Sequence, residues 1–373
     1  MQLSSPYARP HAAPATLTAK TIHTDNRRRA QSIILPCLLL LLAACSNSNP
    51  QPRHETLVAT GQGYPYAASY QGQYYFTLQT QAGTTLELYA TSNLALINTQ
   101  PDNPEKTNNR QPLHRVIISP NDTLTHIWSP EIHRINNHWY IYFEADNGNT
   151  DNHQLYVLEA DGQDPMTAHF QLKPPINTCQ DWNYGIHPTI LQMPTALYLL
   201  WSGWPKRRAE TETQCIYIAK MKNPWTLDGQ RVMISKPDYE WERQWINPDG
   251  DRSAYPIYVN ENPQAFISPD QQRVVLLYSA SGIWTVYTAV GMLSAPANAN
   301  LLDTAVWVKS TEPVLSATML DDTCYANVQL LNDASDNSTI MLFEKKWRQQ
   351  GNIMRNSNMR HIKWDEHHLP ILP

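Results

Sequence analysis

The sequence predicts an all-β, five-bladed β-propeller, and three observations support it. Prolines at 65, 130, 188 and 263 each stand beside a polar residue and open a run of short strands, with spacings of 65, 58 and 75 residues. In each run an aromatic-rich strand is followed by a strand with a Leu/Ile-Tyr core, and no convincing helical period intervenes. Units of this length holding several strands suggest propeller blades, and five copies fill the chain from Tyr64 onward. A β-sandwich would not explain the recurrence.

The elements follow in order. Arg27, Arg28 and Arg29 precede an apolar run from Ile33 to Ala44, too short to span a bilayer but fitting the core of a signal peptide. Leu42-Ala43-Ala44-Cys45 resembles a bacterial lipobox, so residues 1–44 are expected to be a lipoprotein signal peptide and Cys45 the lipidated residue. Ser46 after the cysteine favours the outer membrane or cell surface, in a lipid-anchored envelope location. Residues 45–54 read as that anchor and a flexible polar tether, and 55–373 as the propeller.

The first blade holds Tyr64-Pro65, Tyr74-Tyr75-Phe76 and Leu88-Tyr89. The second holds Pro130-Glu131-Ile132, Trp139 to Phe143 and Leu155-Tyr156-Val157. The third runs through His187-Pro188-Thr189, Leu197 to Trp201 and Ile216 to Ala219. The fourth has Glu261-Asn262-Pro263, Val274 to Tyr278 and Tyr287-Thr288-Ala289. The fifth is weaker, from Ala326-Asn327-Val328 through Ile340 to Phe343 and His361 to Trp364. With only 13 glycines, Asn, Asp and Pro must supply much of the turn chemistry.

Composition narrows the function. Beyond residue 44 the chain has 23 basic and 32 acidic residues and no long basic run, which disfavours nucleic acid. A mean hydropathy of −0.49 excludes a polytopic membrane protein, so membrane contact is expected through the lipid anchor only. Twelve Trp and 19 Tyr stand against 5 Phe, a bias towards amphipathic rings that suits polar ligands such as sugars and wet interfaces in general. Removing Cys37 and lipidating Cys45 leaves Cys179, Cys215 and Cys324, at most one disulfide, with Cys179 and Cys215 the suggested pair. No Cys-x-x-Cys spacing points to zinc.

In a propeller the first strand of each blade lines the channel, so Tyr64, Glu131, His187 and Glu261 are expected to converge on one funnel. Trp128-Ser129-Pro130-Glu131-Ile132-His133, Leu200-Trp201-Ser202-Gly203-Trp204, Asn260-Glu261-Asn262-Pro263-Gln264 and Tyr278 to Thr285 occur in order with blade spacing. Together they resemble glycoside hydrolase family 43, the five-bladed arabinofuranosidases, arabinanases and xylosidases. The resemblance implies inverting hydrolysis, in which one carboxyl protonates the leaving oxygen and a second activates water. It places Glu261 at the general-acid position, Tyr64 where the family has its base aspartate, and His187 where it has a third, modulating aspartate. The fifth-blade histidine, which often supports a metal or water, is not kept around Tyr325 to Val328, so no metal is expected, although a channel calcium remains possible.

A phenol is a poor replacement for a carboxylate base. His187 can act as base, tune Glu261, or merely line the channel. Tyr64 as a nucleophile paired with Glu261, as in sialidases, is a further alternative. Acids of the insert at Asp238, Glu240, Glu242, Asp249 and Asp251 are candidate substitute bases or simply solvated. Glu131 fits a pocket-shaping role, and Trp128 and Trp284 are better sugar platforms than Trp201 and Trp204, which serve equally as core. Three readings result: a binder of arabinose- or xylose-containing glycans with impaired hydrolysis, an active glycosidase rewired through Glu261 and His187, and a non-enzymatic structural or protein-binding propeller.

Overall fold

The computed structural model describes residues 55–372 apart from 62, 81, 100–113, 180–183, 208–210, 212, 247–251 and 317–322. Cys45 with the expected leader and tether, and Asp249 and Asp251, lie outside the described residues. Five antiparallel sheets follow one another as blades, and the described residues contain short 3-10 turns but no α-helix.

The inner strands are Tyr66–Tyr70, Thr125–Ile135, Ile186–Met193, Asn260–Ile267 and Thr323–Asn332. Each pairs with the next strand in sequence, and the first, second and fourth blades run outward through four strands. The fifth blade is completed by Thr56–Thr60, which pairs with Asn352–Trp364 on the outside and so ties the chain's early residues to its last blade. That strand precedes the first proline and escaped the repeat pattern. A second difference lies in blade four, whose third strand is Ala289–Pro296, so Tyr287 and Thr288 belong to the loop before it. Between blades three and four, Arg243–Ile246 and Arg252–Tyr258 form an inserted hairpin.

Successive residues of a strand face opposite sides, and here both sides are buried. Leu199 packs between blades two and three while Leu200 packs between three and four. Val274 and Leu276 likewise face blade three, and Val275 and Leu277 face blade five. Five apolar clusters thereby fill the five interfaces between neighbouring blades, the last joining Leu331 and Leu342 to Ala67 and Phe76. Double burial is why the strands read as continuous apolar runs instead of alternating ones.

Turn chemistry is largely glycine-poor. The two-residue turns at Gln71-Gly72, Asn136-Asn137 and Gln350-Gly351 have positive φ at both central positions, as the tight type I′ hairpin requires. Cys179, Cys215 and Cys324 all carry thiols. The suggested Cys179–Cys215 disulfide is therefore corrected: Cys215 sits in the apolar interface of blades two and three, where burial pushes its thiol up to about 12.

Candidate active site

One backbone device recurs around the axis. Tyr64, Ser129, His187, Asn262 and Asn327 have φ of 55°, 44°, 53°, 49° and 50°, a region that side chains other than glycine rarely adopt. In blades two to five the strand register slips at this residue, a bulge that aims its side chain at the axis. Five strained residues in one ring mark a place where backbone geometry serves a site. The bulge also sets three levels. Trp128, Ile186, Glu261 and Ala326 precede it, the five residues just named occupy it, and Tyr66, Glu131, Thr189, Gln264 and Gln329 lie two residues beyond. Tyr64, Glu131, His187 and Glu261 do meet around one axis, but on three levels.

The ring is locked from outside. Gln79 accepts the backbone N–H of Ser129 at 3.4 Å, Ser202 that of Asn262 at 3.2 Å, and Ser279 that of Asn327 at 3.0 Å. These acceptors come from the second strand of the preceding blade. Glu144 takes the matching place beside His187, and Glu344 beside Tyr64. Asn262 Nδ2 donates to Asn327 Oδ1 at 2.6 Å, and Asn327 Nδ2 donates to Glu344. Asn327→Leu strands both partners and places a bulkier side chain at positive φ. The substitution is expected to cost about 2–3 kcal/mol in urea unfolding.

At the acid position, Glu261 is 1% exposed and its Oε1 accepts the Ile283 N–H at 2.7 Å. Burial pushes its carboxyl up to about 8, against the pull of the Ile283 amide and the Lys346 ammonium. Lys346 is itself buried and donates to Ile283 O at 2.6 Å and Thr288 Oγ1 at 2.8 Å, so it anchors the residue whose N–H holds Glu261. His187 lies between two carboxyls, with Nδ1 4.0 Å from Glu261 and Nε2 3.8 Å from Glu144. Burial drives its imidazole down to about 3, so it is neutral at pH 7. The Tyr64 ring stacks on His187 with centroids 5.7 Å apart, and burial, then the Glu344 and Glu261 charges, raise its phenol well above 10. Burial likewise holds the Glu144 carboxyl well above the usual range. Neither Glu144 oxygen nor His187 Nδ1 finds a hydrogen bond of good geometry.

Glu131 lies one level deeper. It receives Gln264 Nε2 on one oxygen and contacts His133 Nε2 at 3.1 Å on the other, while Tyr66 OH meets His133 Nδ1 at 3.1 Å. This chain of bonds braces the channel. Trp128 is half-buried and stacked on His153 at 4.1 Å, which in turn contacts Asp146 at 3.2 Å. Trp284 is half-buried on the loop above Glu261, and its Nε1 has no partner. Trp201 is corrected as a sugar platform: it is fully buried in the interface of blades two and three and stacks on Tyr217, leaving no face for a ligand. Trp204 is buried as well. Among the insert acids, Glu242 is buried and accepts the N–H groups of Asp238 and Tyr239 and the Lys309 ammonium, a structural role. Asp238 and Glu240 are exposed.

Glu144, Glu344 and Lys346 were not anticipated. Their signal was present: Phe143-Glu144-Ala145 and Phe343-Glu344-Lys345-Lys346 put ionisable residues inside otherwise apolar strands, where burial demands a partner or a task. Among the described residues, no group of three or more His, Cys, Asp or Glu is arranged to hold a metal ion. Asn327 contributes side-chain amide hydrogen bonds to the ring.

The model of glycosyl hydrolases family 43 matches residues 58–370, all five blades. The chain belongs to this family. Among solved structures, the α-L-arabinofuranosidase of Lactobacillus brevis superposes with a TM-score of 0.70 at 25% identity, covering 85% of this chain and 96% of that one. An endo-arabinase of Bacteroides thetaiotaomicron shares the fold at a TM-score of 0.58 and 14% identity, over 84% of this chain and 99% of the other. An extracellular exo-α-(1→5)-L-arabinofuranosidase of Streptomyces avermitilis is 36% identical over 192 residues, 51% of this chain and 36% of the relative. A Humicola insolens α-L-arabinofuranosidase is 35% identical over 189 residues, 50% of this chain and 36% of its own length. The match thus spans only about a third of these two relatives.

Proposed function

We propose that this family 43 propeller binds arabinose- or xylose-containing glycans at the bacterial cell envelope, anchored through lipid on Cys45, and hydrolyses them weakly or not at all. One observation carries the reading. Beside Glu261, the Tyr64 phenol keeps its proton at pH 7 and the His187 imidazole, neutral but held down at about 3, has little affinity for one, so neither is a competent base for activating water. The substrate class rests on the arabinofuranosidase relatives. Trp128 and Trp284 are the platforms, being aromatic rings with exposed surface near the mouth.

An active glycosidase is the second reading, favoured by Glu261 itself. A carboxyl raised to about 8 is protonated at neutral pH, as a general acid must be. Reducing-sugar release from arabinan, arabinoxylan and xylan fragments separates the two, with Glu261→Gln alongside. No release at high protein loading supports the binder, whereas release that vanishes in Glu261→Gln establishes the enzyme. Arabino- or xylo-oligosaccharides are expected to perturb the tryptophan fluorescence of the inactive protein, and Trp128→Ala to weaken that binding at least tenfold, about 1.4 kcal/mol. Fluorescence indifferent to every sugar would instead indicate a structural or protein-binding propeller.

A further inference from the structure

Glu261, His187 and Glu144 are 1%, 2% and 0% exposed. An acid that protonates a glycosidic oxygen must touch that oxygen, so a sugar cannot reach Glu261 in this conformation. In the ring of five, Ser129, His187, Asn262 and Asn327 are all buried, and Tyr64 alone keeps partial exposure. Its ring lies nearly parallel to His187 but offset, with centroids 5.7 Å apart and 21° between the planes. Its phenol lies within electrostatic reach of Glu344, Glu261 and Glu144 together, in the same central cluster. On its Glu131 side the polar cavity lined by Tyr64, Ser129, Glu131, Asn262 and Gln264 has about 10 Å³, room for about one water. A pentose does not fit there.

We propose that the Tyr64 side chain is a plug: it fills the central sugar subsite and seals Glu261, His187 and Glu144 beneath it, so that glycans are held by the rim tryptophans alone. The sugar subsite and the rim tryptophans rest on the glycan-binding reading above; the sealing of Glu261, His187 and Glu144 by Tyr64 does not. The plug sets an aromatic ring beside the buried polar atoms of His187 and within reach of Glu144. It also gives the ligand a defined form. A glycan chain lying across Trp128 and Trp284 is recognised, and a single pentose, which has only the closed floor to enter, is not.

The test uses Tyr64→Ala, Tyr64→Phe and the unmodified protein, with p-cresol, L-arabinose and arabino-oligosaccharides as probes in calorimetry. p-Cresol matches the whole tyrosine side chain, of which Tyr64→Ala removes all but the β-carbon. It is expected to bind and thermally stabilise Tyr64→Ala while leaving the other two unaffected, as apolar ligands fill engineered cavities of their own shape. L-arabinose is expected to bind Tyr64→Ala at least tenfold more tightly than Tyr64→Phe or the unmodified protein. Equal binding of L-arabinose by all three overturns the plug and leaves glycan binding standing. p-Cresol bound by Tyr64→Ala with no sugar bound by any variant upholds the plug and overturns the glycan reading. A measurement on the unmodified protein guards against a misfolded variant. Diethyl pyrocarbonate is expected to modify His126, whose side chain is 45% exposed, and to spare His187. Modification of His187 at a rate matching that of His126 overturns the proposal.

Discussion

Replacing Tyr64 and His187 together by aspartate is expected to raise arabinose release from arabino-oligosaccharides by about 10²–10⁴-fold over the unmodified protein. The double change does two things at once. It supplies carboxylates around Glu261, so that one can activate water while the acid protonates the leaving oxygen. It also removes the ring that covers the floor. The geometry already favours the acid half, because the N–H of Ile283, a residue anchored in turn by Lys346, fixes Glu261. New carboxylates beside Glu144 repel one another and lose solvation, so the variant is expected to be less stable, and near-UV circular dichroism must first establish that it folds. A folded double variant with no gain in release sinks the idea that these two positions are what limits hydrolysis. Tyr64→Asp alone is expected to recover less.

Glu261→Gln is expected to stabilise the protein at pH 8 and leave it nearly unchanged at pH 4. The folded-state carboxyl sits at about 8 against 4.5 for the ordinary group. Between those values the unfolded chain has released the proton and the folded chain still holds it. Stability is therefore fully present below pH 4.5 and falls as pH rises, by about 1.4 kcal/mol per unit at most. Glutamine removes that loss, a gain on the order of 3–5 kcal/mol by pH 8. His187 works in the opposite window. Its imidazole is held at about 3 against 6.5, so its neutral burial is harmless above pH 6.5 and costs stability as pH falls towards 3. Urea unfolding at pH 4, 6 and 8 measures both slopes. A Glu261→Gln variant no more stable than the parent at pH 8 would show that Glu261 is ionised in the folded protein.

Both expectations rest on burial, which is the quantity the linear sequence hides. The blade repeat was legible because four of the five blades reuse the same proline-polar step, and the structure places that step, with Asn327 in the fifth blade, around the axis. What the repeat did not disclose is that the polar residue beside the proline falls on different levels. Glu261 precedes the ring position, Tyr64 and His187 occupy it, and Glu131 lies two residues beyond it, because they stand two before, one before and one after their prolines. Thr56–Thr60 was invisible for a related reason, since it completes blade five without carrying the repeat.

By itself the sequence determined the five-bladed architecture, the family motifs and the identity of the residues at the centre, because strand pattern and turn chemistry are local. Tertiary structure alone decided their states. Enclosure by neighbouring blades removes solvent from Glu261, His187 and Glu144 and shifts their protonation, effects that depend on what packs around a group and not on its neighbours in sequence. The same enclosure made Trp201 core and left Trp128 half-exposed. It also brought Glu144, from the second strand of one blade, against His187, from the first strand of the next.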